Sequence, residues 1–160
     1  MQLPNLPLAH LLHSDAGFFS GLQHPWLGAD HAVAMVLVGL LACTGGAATR
    51  RAPLVFVLAL GLGAGLGLTS GSFELAEVGI QATLALLALA LCWPTHLSRG
   101  PVTVLLLAAG AAHGVAHGAE ATGSPQAFLL GMLLGSAALH ALGYGLGRVL
   151  ARAGLLPVAA

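Results

Sequence analysis

Eight histidines and five carboxylic acids stand in a chain of 160 residues that has no lysine, and most of them fall in a few short stretches. The densest is His113-Gly-Val-Ala-His117-Gly-Ala-Glu120. On a helix, separations of four, three and seven put these three side chains on one stripe. Two imidazoles and a carboxylate so arranged make half of a metal site, because neutral imidazole nitrogen and carboxylate oxygen together suit divalent transition metals. The plainer alternative is a pair of histidines meeting water and backbone at a helix end.

A second stretch is His24-Pro25-Trp-Leu-Gly28-Ala-Asp30-His31-Ala-Val-Ala-Met35. If it is helical, His24 and His31 share a face, and Met35 joins them one turn on. Asp30 then points elsewhere, where it could bind metal or accept a hydrogen bond that orients a histidine. A third, looser group holds Glu74 and Glu77, with Gln81 and Thr83 further along. Glu74 reads as a solvated interfacial residue, whereas Glu77 is the one placed to enter a bundle. His140 stands alone. A single buried histidine is commonly a hydrogen-bonded packing residue, but His140 is marked by depth, roughly 22 Å along its helix from Pro125 at 1.5 Å per residue.

The remaining candidates are weaker. His10 and His13 belong to a terminal tail and His96 to a loop. Cys43 and Cys92 make no disulfide framework and read better as small buried hydrophobes than as soft ligands.

These groups need something to hold them, and composition says what it is. Hydrophobic residues make up 58% of the chain and charged residues 6%, with a mean hydropathy of +0.93. Soluble domains carry roughly 25% charged residues. A surface this apolar is suited to lipid, which predicts an all-α polytopic membrane bundle. A span needs about 20 apolar residues. Pro, Gly, Arg and Glu divide the chain into five such stretches, near 18–43, 53–69, 75–93, 101–118 and 125–150. The first is interrupted by His24, Asp30 and His31, so its outer part is expected to be re-entrant or irregular. A single transmembrane domain results, with residues 1–17 ahead of a bundle over 18–152 and a short tail at 153–160. Glycines four apart (Gly61/Gly65, Gly63/Gly67, Gly131/Gly135, Gly143/Gly147) predict close helix packing.

Arg50, Arg51, Arg99, Arg148 and Arg152 all fall on one side of a five-span topology. The positive-inside rule makes that side cytoplasmic and leaves the N-terminus outside. On this layout His24, Glu77, His117 and Glu120 lie near the outer face, Asp30, His31 and His113 deeper, and His140 deeper still. Ionisable groups inside a membrane cost about 2.5–3.5 kcal/mol each on insertion scales and mark ion or substrate routes. A graded line of imidazoles and carboxylates is what a divalent cation needs to shed water, enter, and still leave.

Other function classes fit less well. A net charge of zero leaves no electrostatic footprint for nucleic acid. The chain has no G-x-x-x-x-G-K-[ST] loop for nucleotide and no His-Glu-x-x-His, so neither ATP hydrolysis nor a metalloprotease is expected. A membrane haem protein remains as an alternative, since histidines on neighbouring helices can ligate haem from both sides. A metal sensor or scaffold that binds without transport is another.

Read together, the motifs resemble those of the HupE/UreJ family, membrane proteins associated with hydrogenase and urease and regarded as nickel permeases. The likeness rests on His24-Pro25-x-x-Gly28-x-Asp30-His31-x-x-Ala34-Met35, Glu77-x-Gly79-Ile80, His113-Gly114-x-Ala116-His117-Gly118-x-Glu120 and His140-Ala-Leu-Gly143, in that order. It covers about residues 17–150. The resemblance implies secondary uptake of Ni²⁺, with Co²⁺ second, across the bacterial inner membrane, and His24, Asp30, His31, His113, His117 and Glu120 as metal residues. It implies a transported ion and not a permanently bound cofactor, with the lipid bilayer as surroundings and a homo-oligomer as an open arrangement. Family members often carry a fuller signal-like start and a sixth apolar segment, which sets six helices as the alternative to five.

Overall fold

Long apolar runs with proline or serine at their starts form helices because, in lipid, each backbone amide must find its partner within its own segment. In the computed structural model this holds throughout. The structure describes residues 8–44, 49–70, 74–92, 98–121 and 123–156, with side chains from Gly17 onward. Six helices account for them: α1 (Leu8–Leu27), α2 (Ala29–Cys43), α3 (Ala52–Ser70), α4 (Glu74–Cys92), α5 (Arg99–Ala119) and α6 (Pro125–Arg152). Among the described residues there is no strand.

Four of them, α3 to α6, are long and apolar enough to cross a membrane singly. The fifth span is broken: Gly17–Leu27 and Ala29–Cys43 meet at 80°. Pro25 lies inside α1 and Gly28 caps α2 with extended backbone (φ −92°, ψ 119°). Proline removes an amide from the ladder, and at Gly28 a Cβ would stand 2.8 Å from His31 Nδ1 and 3.2 Å from Asp30 Oδ1. A side chain at position 28 would therefore crowd those of His31 and Asp30, although the backbone angles themselves suit any residue. The expectation of an irregular outer part to the first span is met, and the five-span count holds with that span bent.

The protein is thus a multi-pass helical membrane protein. Its lipid-facing side is read directly from α3, where Leu54, Leu58, Leu62 and Leu66 form an exposed stripe at four-residue spacing. Phe56 and Leu60 of the same helix turn inward to a core completed by Met35, Val38, Leu106, Phe128, Met132 and Leu139.

Helices α3 and α5 pack closely along their length, as do α1 and α2 against α6. Small residues make this contact possible. A Cβ at Gly63 or Gly67 would fall on the backbone of α5, at Gly131 or Gly135 on that of α1, and at Gly143 on Val36 of α2. Gly147 faces Cys43 at 2.7 Å by the same measure. Three of the four expected glycine pairs therefore do close packing. The fourth does not: Gly65 is exposed with open space around it, and a Cβ at half-buried Gly61 would meet only the Leu133 side chain of α6, at an ordinary 3.8 Å. Unanticipated was the run Gly110, Gly114 and Gly118, which presses α5 onto the α3 backbone. Cys43 is buried as expected, whereas Cys92 is exposed, its thiol turned to the Ala88 carbonyl oxygen at 3.6 Å.

Candidate metal centre

The glycine run on α5 decides where its histidines go. Each imidazole stands one residue before a glycine that abuts α3, so the His113–His117 stripe turns away from that contact and into the bundle. Both are fully buried. Into the same space the bend at Gly28 delivers His24 from the end of α1 and His31 from the start of α2. His24 and His31 do not share a helical face, as an unbroken helix would have required; they meet through His117 instead. The ring centroids of His24 and His117 are 4.6 Å apart, those of His117 and His31 4.4 Å, and those of His31 and His113 5.1 Å.

Hydrogen bonds fix which nitrogen each ring offers. Asp30 Oδ1 accepts from His31 Nδ1 at 2.7 Å and also from the His31 backbone amide at 2.9 Å. The Ala109 carbonyl accepts from His113 Nδ1 at 2.8 Å. Both partners only accept, so Nδ1 carries the proton and Nε2 keeps its lone pair. A partner on one ring nitrogen and a lone pair on the other is the usual state of a metal-binding histidine. Nε2 of His31 and of His113, and both ring nitrogens of His117, are buried with no hydrogen-bond partner among the described residues. Buried polar atoms without partners are expensive, and here several converge on one place.

Glu120, the C-cap of α5, closes the outer end. Its Oε2 accepts from His24 Nε2 at 2.9 Å and stands 3.8 Å from His117 Nδ1, too far for a hydrogen bond. The His117 imidazole, followed by that of His24, holds the Glu120 carboxyl well down, at about 2. One ligand atom each from His24, His117 and Glu120 lie within 4.8 Å of one another. Ligands at about 2.1 Å from a tetrahedral ion stand about 3.4 Å apart, so the trio matches a coordination sphere in size.

Beyond His113 the line continues through an apolar ring. Phe56 is fully buried and packs edge-on to both His113 (5.5 Å) and His140 (5.3 Å). His140 is buried in α6 with neither ring nitrogen partnered among the described residues, and it lines a cavity of about 380 Å³ with Arg50 and Tyr144.

Of the eight residues singled out from sequence, His24, Asp30, His31, His113, His117 and Glu120 come together, and His140 joins through Phe56. Glu77 does not. It is exposed in the first turn of α4, because the face of that helix turned to α5 is Ala76 and Ile80. Its place is taken by Gln81, one turn on, which donates from Nε2 to Asp30 Oδ2 at 3.3 Å. Gln81 and Phe56 are the residues that spacing alone did not select. Gln81 had a signal, as a polar residue within an apolar run; Phe56 had none. Thr83 satisfies itself on the Gly79 carbonyl. His10, His13 and His96 lie outside the described side chains.

No solved structure matches the chain. Among curated proteins, "Protein HupE" of Rhizobium leguminosarum bv. viciae is 34% identical over 150 residues, which is 91% of this chain and 78% of that one. The family model described as HupE / UreJ protein matches residues 1–159. On that match and that relative, the chain belongs to the HupE/UreJ family.

Proposed function

We propose that this protein is a secondary permease that admits Ni²⁺, and Co²⁺ as a second substrate, to the cytoplasm across the bacterial inner membrane. One observation carries the reading. A continuous file of rings runs from the exposed Glu120 through His24, His117, His31 and His113 to Phe56 and the cavity beside His140. Nitrogen and oxygen donors alone select a divalent transition metal, and natural affinity would favour copper, so nickel itself rests on the family. Glu120 and His24 collect the ion, the lone pairs of His117, His31 and His113 replace its water, and His140 receives it beyond Phe56. Asp30 acts by orienting His31, and Gln81 by holding Asp30. The arginine-bearing ends of α3, α5 and α6 then face the cytoplasm.

A second reading has its own support. Phe56 interrupts the donor line with a ring that offers no ligand, which suits a sensor that binds metal and does not pass it. Haem is disfavoured, because imidazole rings 4.4–5.1 Å apart leave no gap for a macrocycle.

The test is uptake of radiolabelled Ni²⁺ into proteoliposomes holding the purified protein, with Co²⁺ and Zn²⁺ as competitors. Uptake is expected in the wild type and lost in His31→Ala and His117→Ala at equal protein content. Normal uptake in both variants would sink the site, and tight binding without flux would establish the sensor.

A further inference from the structure

The ends of α2 and α6 and the start of α3 enclose a second chemistry. Arg50, Arg148 and Arg152 line one cavity of about 390 Å³ with Cys43 and Tyr144. Arg148 and Arg152 are four apart on α6, where like charges repel, and Arg50 brings a third charge to them. Among the described residues no carboxylate offsets these charges: Asp30, Glu74, Glu77 and Glu120 do not line this cavity, and no arginine ion pair occurs. Guanidinium groups gathered in this way are a fit for phosphate oxygens.

The adjoining space says which phosphate. The cavity of about 380 Å³ beside His140 shares Ala42, Arg50 and Tyr144 with the arginine cavity and continues it between α3 and α6. Its further lining is apolar: Leu54 and Val57 on one side, Ala137 and Ala141 on the other. Leu54, Ala137 and Ala141 are exposed on the surface that lipid covers. A basic head pocket opening into an apolar cleft at membrane depth has the shape and polarity of a phospholipid. From this continuity we infer that the protein binds an anionic phospholipid, its phosphate on Arg50, Arg148 and Arg152 and an acyl chain in the α3–α6 cleft. Tyr144, half exposed at the join, donates its hydroxyl at the glycerol level, and the acyl chain covers the side of the cavity against which His140 lies.

Native mass spectrometry of the purified chain in detergent reads this without metal or flux, so its outcome is separate from that of the transport reading. Phosphatidylglycerol and phosphatidylcholine with identical acyl chains are added at equal concentration. The wild type is expected to keep the anionic lipid preferentially, and Arg148→Gln/Arg152→Gln to lose that preference by roughly fivefold for each charge removed. Ala141→Phe, which fills the cleft from its lipid side, is expected to lower retention of both lipids while circular dichroism stays unchanged. Equal retention of the two lipids by the wild type overturns the proposal. So does a preference that inorganic phosphate displaces and Ala141→Phe leaves intact, since the occupant would then be free phosphate.

Discussion

Among the polar side chains in the bundle, the two that orient others matter as much as those with free nitrogens. Asp30 takes the proton side of His31, and Gln81 restrains Asp30 in turn, so that His31 keeps an unpartnered Nε2 on a ring that lies beside those of His117 and His113. That Asp30 would orient a histidine was legible from its position beside His31; that Gln81 would hold it was not, because the partnership crosses from α2 to α4. Glu120 behaves differently. With its carboxyl at about 2, it remains ionised as pH falls from 7 to 5, since a depressed acid loses its charge only below its folded value. Glu120→Gln is therefore expected to reduce Ni²⁺ uptake by the same factor, about tenfold as for other groups that support a metal site, at pH 7 and at pH 5. Uptake measured over that range checks it; a factor that shrinks toward one at pH 5 would show the carboxyl titrating there.

At the scale of the helix, the direction of the histidines depends on the glycines that follow them. Gly110, Gly114 and Gly118 let α5 lie directly on α3, and the rotation this sets aims His113 and His117 inward. A Cβ at Gly114 meets the Leu60 carbonyl oxygen and stands 2.7 Å from the Ala64 amide nitrogen, both of them backbone. Gly114→Ala is accordingly expected to cost about 1–3 kcal/mol as an overpacked contact. Gly65→Ala, in open space on the same pair of helices, is expected to be neutral or mildly stabilising. Denaturation in mixed micelles compares the two, and equal midpoints would refute the packing role. Four-residue spacing marks a glycine that can pack but not the side on which a neighbour lies. Gly61 and Gly65 satisfy the spacing, yet Gly65 faces outward and Gly61 meets only a leucine side chain. The broken first span was legible from His24, Asp30 and His31, polar residues that interrupt its apolar run. What they could not convey was the 80° angle of the break, or its place between Pro25 and Gly28.

Over the whole molecule, length and hydropathy were enough for four straight crossings and a bent fifth, and the arginines propose their direction. Counting the bent pair as one crossing, the N-terminal ends of α4 and α6 share a side, and those of α3 and α5 share the other. In a background with Cys43→Ala and Cys92→Ala, a membrane-impermeant thiol reagent applied outside intact cells is expected to label Ser124→Cys and spare Ser98→Cys. The reverse pattern would invert the orientation and, with it, the direction of the ion.

The bent first span carries one more consequence, and it concerns synthesis. Helices α1 and α2 take their closest packing from α6, which is translated well after them. A half-span of 15 residues, about 22 Å long, is too short to bridge a hydrocarbon core of about 30 Å, and its partner across Gly28 lies at an angle to it. Translation therefore delivers the first crossing well before the surface that holds its bend. A chain interrupted before Pro125 would leave the ribosome with α1 and α2 made and the α6 surface they pack against still missing.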